Sequence, residues 1–419
     1  MLDIKFIREN KDIVALGAKK KHVALDVEEL IATDDKRREL LASIEKKRAE
    51  QNTVSEKITK AGEAERASFI ESMKHLKSGL QEEEEKLKEV MKKWQGLMLQ
   101  VPNIPDMSVP EGKSDEENKE VKSWGERPSF NFEAKDHVEL MVKLGMADFE
   151  RGSKVHGFRG YFLVGDGARL SFAIWQYALD FFSTKNFVPI MTPSIVRKIS
   201  LYGTGHLPGD TEDFYMTQDG DVLSGTAEVP LMSFHGEEVF ELKDLPKRYL
   251  GFSPCYRREA GAHSKDVKGL IRVHEFYKFE QLILCEANHE TSVAFHEEIN
   301  RNTEEFMESL GLPYRTVINC GGDLGLGQVK KYDIELWVPK EGKYREISSA
   351  SYFHDFQTRR LNIRYRDQEG KLRYAHSLNC TALPSPRILV SLVENFQQAD
   401  GSIRIPDALV KYMGKDVIR

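Results

Sequence analysis

Apolar residues follow two rhythms along this chain. Residues 1 to about 26 carry Ile4, Ile7 and Ile13 as the apolar points of a short helical lead-in. Leu40, Ile44, Val54 and Ile58 then fall on positions spaced alternately four and three apart, with polar Lys47 and Gln51 filling gaps in the series. After a break at Ala61-Gly62 the rhythm returns at Phe69, Met73, Leu76, Leu80, Leu87, Val90, Trp94 and Leu97. Such spacing lays one apolar stripe along each of two long helices. The glycine-containing break folds them into an antiparallel pair. Two helices bury too little for a core of their own, so the pair is an arm projecting from something else or a dimerisation coiled coil. Its other faces are dense in charge, as in KKRAE and QEEEEKLKEV. Two readings of that charge stay open: a solvated surface, or contacts from Lys46, Lys47, Arg48, Lys57 and Lys60 to phosphate.

The second rhythm is mixed. VPNIPDMSVPEGKSDEENKE carries three prolines, a glycine and many acids, and reads as a linker over 106–125 between a helical domain over 1–105 and a second domain over 126–419. In that second domain, β-rich runs such as YFLVG, KRYLGFSP and YDIELWVP alternate with helical runs such as LSFAIWQYALDFFSTK. This grouping predicts an α+β domain on a mainly antiparallel sheet.

Length and composition narrow the picture. At 419 residues the chain exceeds one ordinary core, and 40% hydrophobic with 31% charged residues excludes a disordered chain. A net charge of -6 excludes a protein that is basic overall, while leaving room for a local basic stripe. Cys255, Cys285, Cys320 and Cys380 lie far apart and form no C-x-x-C pair, so free thiols of a reducing cytosol are expected rather than a disulfide framework or zinc site. The N-terminus lacks the apolar core of a signal peptide, and no stretch approaches the roughly 18 apolar residues of a membrane span. A cytoplasmic protein without a membrane partner is expected.

Three segments place charge inside otherwise apolar strands. FSPCYRREAGAHSKDVKGLIRVHEFYKFEQLIL predicts a hairpin with a long tip. Alternation puts Arg257 with Glu259 on one face, and Phe276, Lys278 and Glu280 on one face of the returning strand. Charges there are costly unless they meet ligands or each other. In KYREISSASYFHDFQTRR, Glu346 precedes Ser348 and Ser349, an acid and hydroxyls suited to a magnesium ion shared with substrate phosphates. In AHSLNCTALPSPRILVSLVEN, a strand gives way to a loop and then to a helix headed by Arg387, where a phosphate would gain from the helix N-terminus. Two arginines, a metal-binding acid and a stacking aromatic suit nucleotide chemistry. Neither a P-loop nor a dinucleotide fingerprint occurs.

FVPIMTPSIV, the first of those segments and LNCTALPSPRILVSLVEN are similar to motifs 1, 2 and 3 of class II aminoacyl-tRNA synthetases. LYGTGHLP, SGTAEVPL, GDLGLGQVKKYDIELWVP, YREISSASYFHDFQTRR and DGSIRIPDAL make the resemblance specific to the seryl-tRNA synthetases, and the helical hairpin resembles that family's tRNA-binding arm. The resemblance spans almost the whole chain. It implies a class II catalytic domain that joins serine to tRNA with ATP and Mg2+, in a homodimer with Pro193 at the interface. Arg257 would bind the α-phosphate and the serine carboxylate, with Glu259 on the adenosine portion, Phe276 stacked on adenine and Arg387 on the γ-phosphate. Arg258, Val273, Ile347, Ser348 and Ser349 complete the implied ATP site, and Glu346 with Ser349 would hold the metal. Thr226, Ala227, Glu228, Arg257, Glu280, Asn379 and Thr381 form the implied serine site. tRNA(Ser) is the implied partner, read by backbone shape along its long variable arm. The selenocysteine tRNA stays open as a second acceptor.

Motif 3 departs from many relatives in having two prolines and no glycine before Arg387. His206 and His263 read as loop or tRNA contacts, because a carboxylate nucleophile needs no base. His274, Trp94 and Trp175 read as packing residues. A carrier-loading ligase usually lacks the arm, a non-catalytic paralogue would lose Arg257, Glu346 or Arg387, and a scaffold would not explain the charged strands.

Overall fold

The computed structural model describes residues 1–209, 211–261 and 266–419. They form two units, Met1–Lys19 with Val23–Pro102, and Lys20–His22 with Asn103–Arg419.

The first unit is helical: α1 (Ile4–Glu9), α2 (Lys11–Lys20), α3 (Val27–Lys60) and α4 (Glu63–Gln100). The Asp26 carboxylate caps α3 by accepting from the Glu29 N–H at 2.8 Å, and Gly62 heads α4. Along the paired helices Ile44 is buried and the rest of the stripe half-buried, as expected for one seam between two helices. Ile7, Val14, Leu30, Met98 and Val101 close a small core at the base. The fully buried Asp34 sits there among Arg8, Arg37 and Arg38, which compensate its charge.

The second unit is built on an eight-stranded sheet. In chain order its strands are β1 (Lys119–Trp124), β2 (Val188–Met191), β3 (Lys247–Tyr256), β4 (Glu275–Cys285), β5 (Tyr314–Ile318), β6 (Lys330–Val338), β7 (Lys343–Tyr352) and β8 (His376–Ser385). They lie in the order β1-β5-β6-β7-β8-β4-β3-β2, and neighbours are antiparallel except β2 with β3. The helices that frame it are α5 (Asp166–Ser183), α6 (Lys198–Thr204), α7 (Glu228–Phe234), α8 (His289–Ser309), α9 (Phe356–Leu361) and α10 (Arg387–Asn395). α5, α8 and α10 bury one face of the sheet through Ile174, Phe182, Phe306, Leu389 and Leu392. Each such side chain contributes about 1.5–3 kcal/mol. On the opposite face a smaller apolar cluster packs Leu282 and Leu284 of β4 against Leu231 and Met232 of α7 and Ala227 just before it, and polar side chains such as Lys278 and Glu280 take the rest.

Residues 106–125, expected as a linker, supply β1, which pairs with β5 at the edge of the sheet. All six β1 residues are exposed, so no apolar alternation marks the strand, and its lysines and glutamate protect a free edge. Trp124 stacks on Tyr314 and Lys122 pairs with Glu304, which holds β1 in place.

His296 joins α8 to the sheet. Its Nε2–H donates to the Ala350 carbonyl at 2.9 Å, and its ring lies on Tyr332 at 4.9 Å between centroids. Nδ1 meets no polar partner among the described residues. Burial pushes its pKa down to about 3, and the same cause takes His354 and His376 down to about 4. A depressed pKa means that the unfolded chain binds the extra proton. The stability contributed is therefore complete above the ordinary histidine pKa, and it is lost as pH falls toward the folded value. For His296 the expected loss is about 1.4 kcal/mol per pH unit between roughly pH 6 and pH 4. Thermal melts of wild type and His296→Gln across that range check this, the variant having the shallower slope.

Candidate active site

The hairpin β3–β4 sets the polar floor. Alternation puts Phe276, Lys278 and Glu280 on one face of β4, opposite Cys255, Ser253 and Gly251 of β3. Gly251 is required: a Cβ there would lie 2.5 Å from Leu231 Cδ1 and 3.0 Å from Ala227 Cβ. The bare backbone lets α7 descend onto the sheet, which brings Thr226, Ala227 and Glu228 over Glu280.

Glu280 is 2% exposed. Its Oε2 accepts from Thr226 Oγ1 and Thr381 Oγ1, both at 3.4 Å, and pairs with Lys278 Nζ. Lys278 also donates to Thr226 Oγ1 at 2.8 Å. Burial raises the Glu280 pKa, opposed by Lys278, and neighbouring Glu228 raises it further. Glu228 is likewise raised by burial, opposed by Gln357, Lys278, Asn379 and Arg257. Two buried carboxyl groups beside Lys278 and two threonine hydroxyls make a pocket rich in hydrogen-bond acceptors. It suits a small ligand bearing an ammonium and a hydroxyl.

A cleft of about 510 Å³ adjoins this pocket, lined by Arg257, Glu259, Arg272, Val273, Phe276, Glu346, Ile347, Thr381 and Arg387 among others. Arg257 lies 5.3 Å from the Phe276 ring centroid, and its Nη2 donates to the Gly225 carbonyl at 3.4 Å. The expected pairing of Arg257 with Glu259 by strand alternation does not describe their placement. β3 ends at Tyr256, and Glu259 has φ +52°, outside any strand. Glu259 lines the cleft beside Arg272, whose Nη1 donates to it at 2.9 Å. Arg258 is exposed and does not line the cleft.

The expected loop before Arg387 is strand instead. β8 runs through Pro384 to Ser385, Pro386 is the single turning residue, and α10 starts at Arg387. An irregular step at Ala382 lets Thr381 face Glu280 while Leu383 pairs with Phe279. The Arg387 guanidinium is aimed by two carbonyls, Ile271 O at 2.9 Å and Glu346 O at 2.8 Å.

Glu346 and Ser349 are three positions apart, which in a regular strand would put them on opposite faces. The register corrects this. Asp333 pairs with Ser349 and Glu335 with Glu346, and Ile347 is the extra residue of a bulge. Since Asp333 and Glu335 share a face, so do their partners. Buried Asp333, beside Ser349, has its pKa raised to about 6, by burial first and by Glu346 in addition, against Lys331. The Ser348 side chain turns away and donates to the Thr381 carbonyl at 2.6 Å.

On the arm, Lys47 Nζ meets Glu83 at 3.0 Å and the Gly79 carbonyl at 3.3 Å, and Arg48 meets Glu84 at 2.7 Å. Lys46, Lys57 and Lys60 are exposed. His206 Nδ1 is 2.9 Å from Thr204 Oγ1, His274 Nδ1 is 2.9 Å from the Arg257 carbonyl, and His263 lies outside the described residues. Trp94 and Trp175 are half-buried, Trp175 packing on Phe252 and Tyr277. Sequence reasoning gave no role to Lys278, Arg272 or Gln357. For the first two the signal was present, a cation within a strand-rich run, but their partners were not visible.

The chain matches two family models: the seryl-tRNA synthetase N-terminal domain over residues 1–105, and the tRNA synthetase class II core domain (G, H, P, S and T) over residues 215–396. It is 46% identical to the serine–tRNA ligase of Deinococcus radiodurans over 99% of this chain and 98% of that one. Its fold is similar to the seryl-tRNA synthetase of Pyrococcus horikoshii in complex with ATP, with TM-score 0.91 and 38% identity over 100% of this chain and 99% of that one. The cytoplasmic serine–tRNA ligase of Naegleria fowleri in complex with AMP gives TM-score 0.87 and 32% identity over 100% and 99%. With these likenesses running through both units, and a pocket of buried acids and hydroxyls beside an arginine-lined cleft, the chain belongs to the seryl-tRNA synthetase family.

Proposed function

We propose that the chain activates L-serine with ATP and transfers the seryl group to the 3′ end of tRNA(Ser). The observation that carries this is the joining of the Glu228–Glu280–Thr381 pocket to the cleft of Arg257, Phe276 and Arg387. A serine carboxylate oxygen attacks the α-phosphorus, the bond to the bridging oxygen breaks, and pyrophosphate leaves. Positioning and charge neutralisation suffice. Arg257 steadies carboxylate and α-phosphate, Phe276 carries adenine with Glu259, Val273 and Ile347 around the nucleoside, and Arg387 takes the γ-phosphate. Thr226, Glu228, Glu280, Asn379 and Thr381 hold the serine ammonium and hydroxyl. The tRNA hydroxyl then attacks the carbonyl carbon, and AMP leaves.

Glu346 and Ser349 offer hard oxygen donors on one face, which fits Mg2+. Among the described residues no group of three or more His, Cys, Asp or Glu could hold a metal ion, so phosphate oxygens would complete the coordination. Bound there, Mg2+ supplies charge neutralisation on the phosphates. A homodimer is supported by the exposed apolar edge at β2 and α5, where Val188 is 56%, Met191 83% and Phe172 65% exposed, with Pro193 exposed beside them. The exposed lysines of the arm support tRNA contact. Cytoplasmic action fits four buried free cysteines, and no helix among the described residues is long and apolar enough to cross a membrane.

Exchange of pyrophosphate into ATP, with serine, threonine, alanine and glycine tested separately, checks the reading. Exchange is expected with serine alone. Folded protein inactive with all of them would overturn it.

A further inference from the structure

Gln357 stands on α9, outside the cleft, and no role above uses its structural part. Its side chain is 1% exposed and both ends of its amide are engaged. Nε2 donates to Glu228 Oε1 at 2.6 Å and to the Thr204 carbonyl at 3.2 Å, and Oε1 accepts from Ser377 Oγ at 2.8 Å. The amide orientation follows from chemistry. A carboxylate and a carbonyl only accept, so the end between them must be the NH2. α6, α7, α9 and β8 are joined at this one group. A cationic donor in its place would orient Glu228 but neutralise it, cancelling its pull on an ammonium. A neutral donor fixes the carboxylate and leaves its charge for the ligand.

We propose that Gln357 is a positioning residue for amino-acid selection, aiming the Glu228 carboxylate at the ammonium of the substrate without compensating its charge. This rests on the reading of Glu228 as a serine ligand. Serine-dependent pyrophosphate exchange on the full chain tests it, with wild type, Glu228→Ala, Gln357→Leu and Gln357→Glu compared across pH. Gln357→Leu is expected to raise the serine KM about 10- to 100-fold while the ATP KM stays within about twofold. Gln357→Glu puts a second carboxylate against Glu228. Its serine KM is expected to be high above neutral pH and to recover as pH falls and the pair takes up a shared proton, a profile that wild type lacks. A merely structural role would move both KM values or the folded fraction and would create no new pH dependence. Gln357→Leu with an unchanged serine KM, an equal rise in both KM values, or a wild-type pH profile for Gln357→Glu overturns the proposal. Glu228→Ala separates the two levels. If it leaves the serine KM intact, the reading of Glu228 fails and this inference with it; if it raises the KM while Gln357→Leu does not, this inference alone fails.

Discussion

Replacing Arg387 with alanine is expected to lower kcat/KM for serine-dependent ATP–pyrophosphate exchange by about 10³-fold, with little change in melting temperature. The guanidinium heads α10 and is aimed by the Ile271 and Glu346 carbonyls, so it is ordered before the nucleotide arrives. Arg257 and Arg272 stand near enough to lower its pKa, after burial as the main cause. Such a gathering of like charges favours a polyanion. Charge that builds on departing pyrophosphate would meet a donor already in position. Lysine at 387 keeps the charge but loses the planar fork, and a loss of about tenfold is expected. Exchange by the alanine variant within threefold of wild type would remove Arg387 from the phosphate site.

The second large effect is expected at Glu280. Glu280→Ala should narrow the preference for serine over alanine by about 10³-fold, because a site built to hydrogen-bond a hydroxyl discriminates by up to about 10⁴–10⁵. The same change strands the Lys278 ammonium, which is buried and pairs with Glu280. Loss of one partner from a buried pair costs about 3–5 kcal/mol, so the melting temperature should fall as well. Thr381→Val separates these effects. It removes one hydroxyl facing Glu280 and leaves the ion pair in place, so selectivity should drop with stability nearly kept. Unchanged selectivity in both variants would sink the assignment of this pocket to the substrate hydroxyl.

The arm and the hairpin faces could be read from residues alone because each rests on a simple period. The 3.5-residue stripe foretold α3 and α4, and alternation put Phe276, Lys278 and Glu280 together. What stayed hidden depends on exceptions to period. Glu346 and Ser349 share a face only through the extra Ile347, and a bulge leaves no mark in composition. β1 was hidden because none of its residues is buried. The run before Arg387 suggested a loop because prolines disfavour strand interiors, yet Pro384 sits in β8 opposite Lys278. Gln357 gave no signal at all, since an amide in a helical run is ordinary until its partners are known.

The bulge at Ile347 makes the cleft sensitive to residue counting. β7 reaches both Glu346 and Ser349 from one side by carrying an odd residue, so the distance between them in the chain acts as a ratchet tooth. Deleting Ile347 would restore regular pleating and leave Glu346 two positions from the present Ser349, on the same face, with the strand shortened by one residue. Straightening the bulge with Ile347 still in the strand would turn one donor outward while every side chain of the pair remained present. A chain that keeps each residue by name but pleats this run regularly loses the pair, so the bulge is as much a part of the site as its composition.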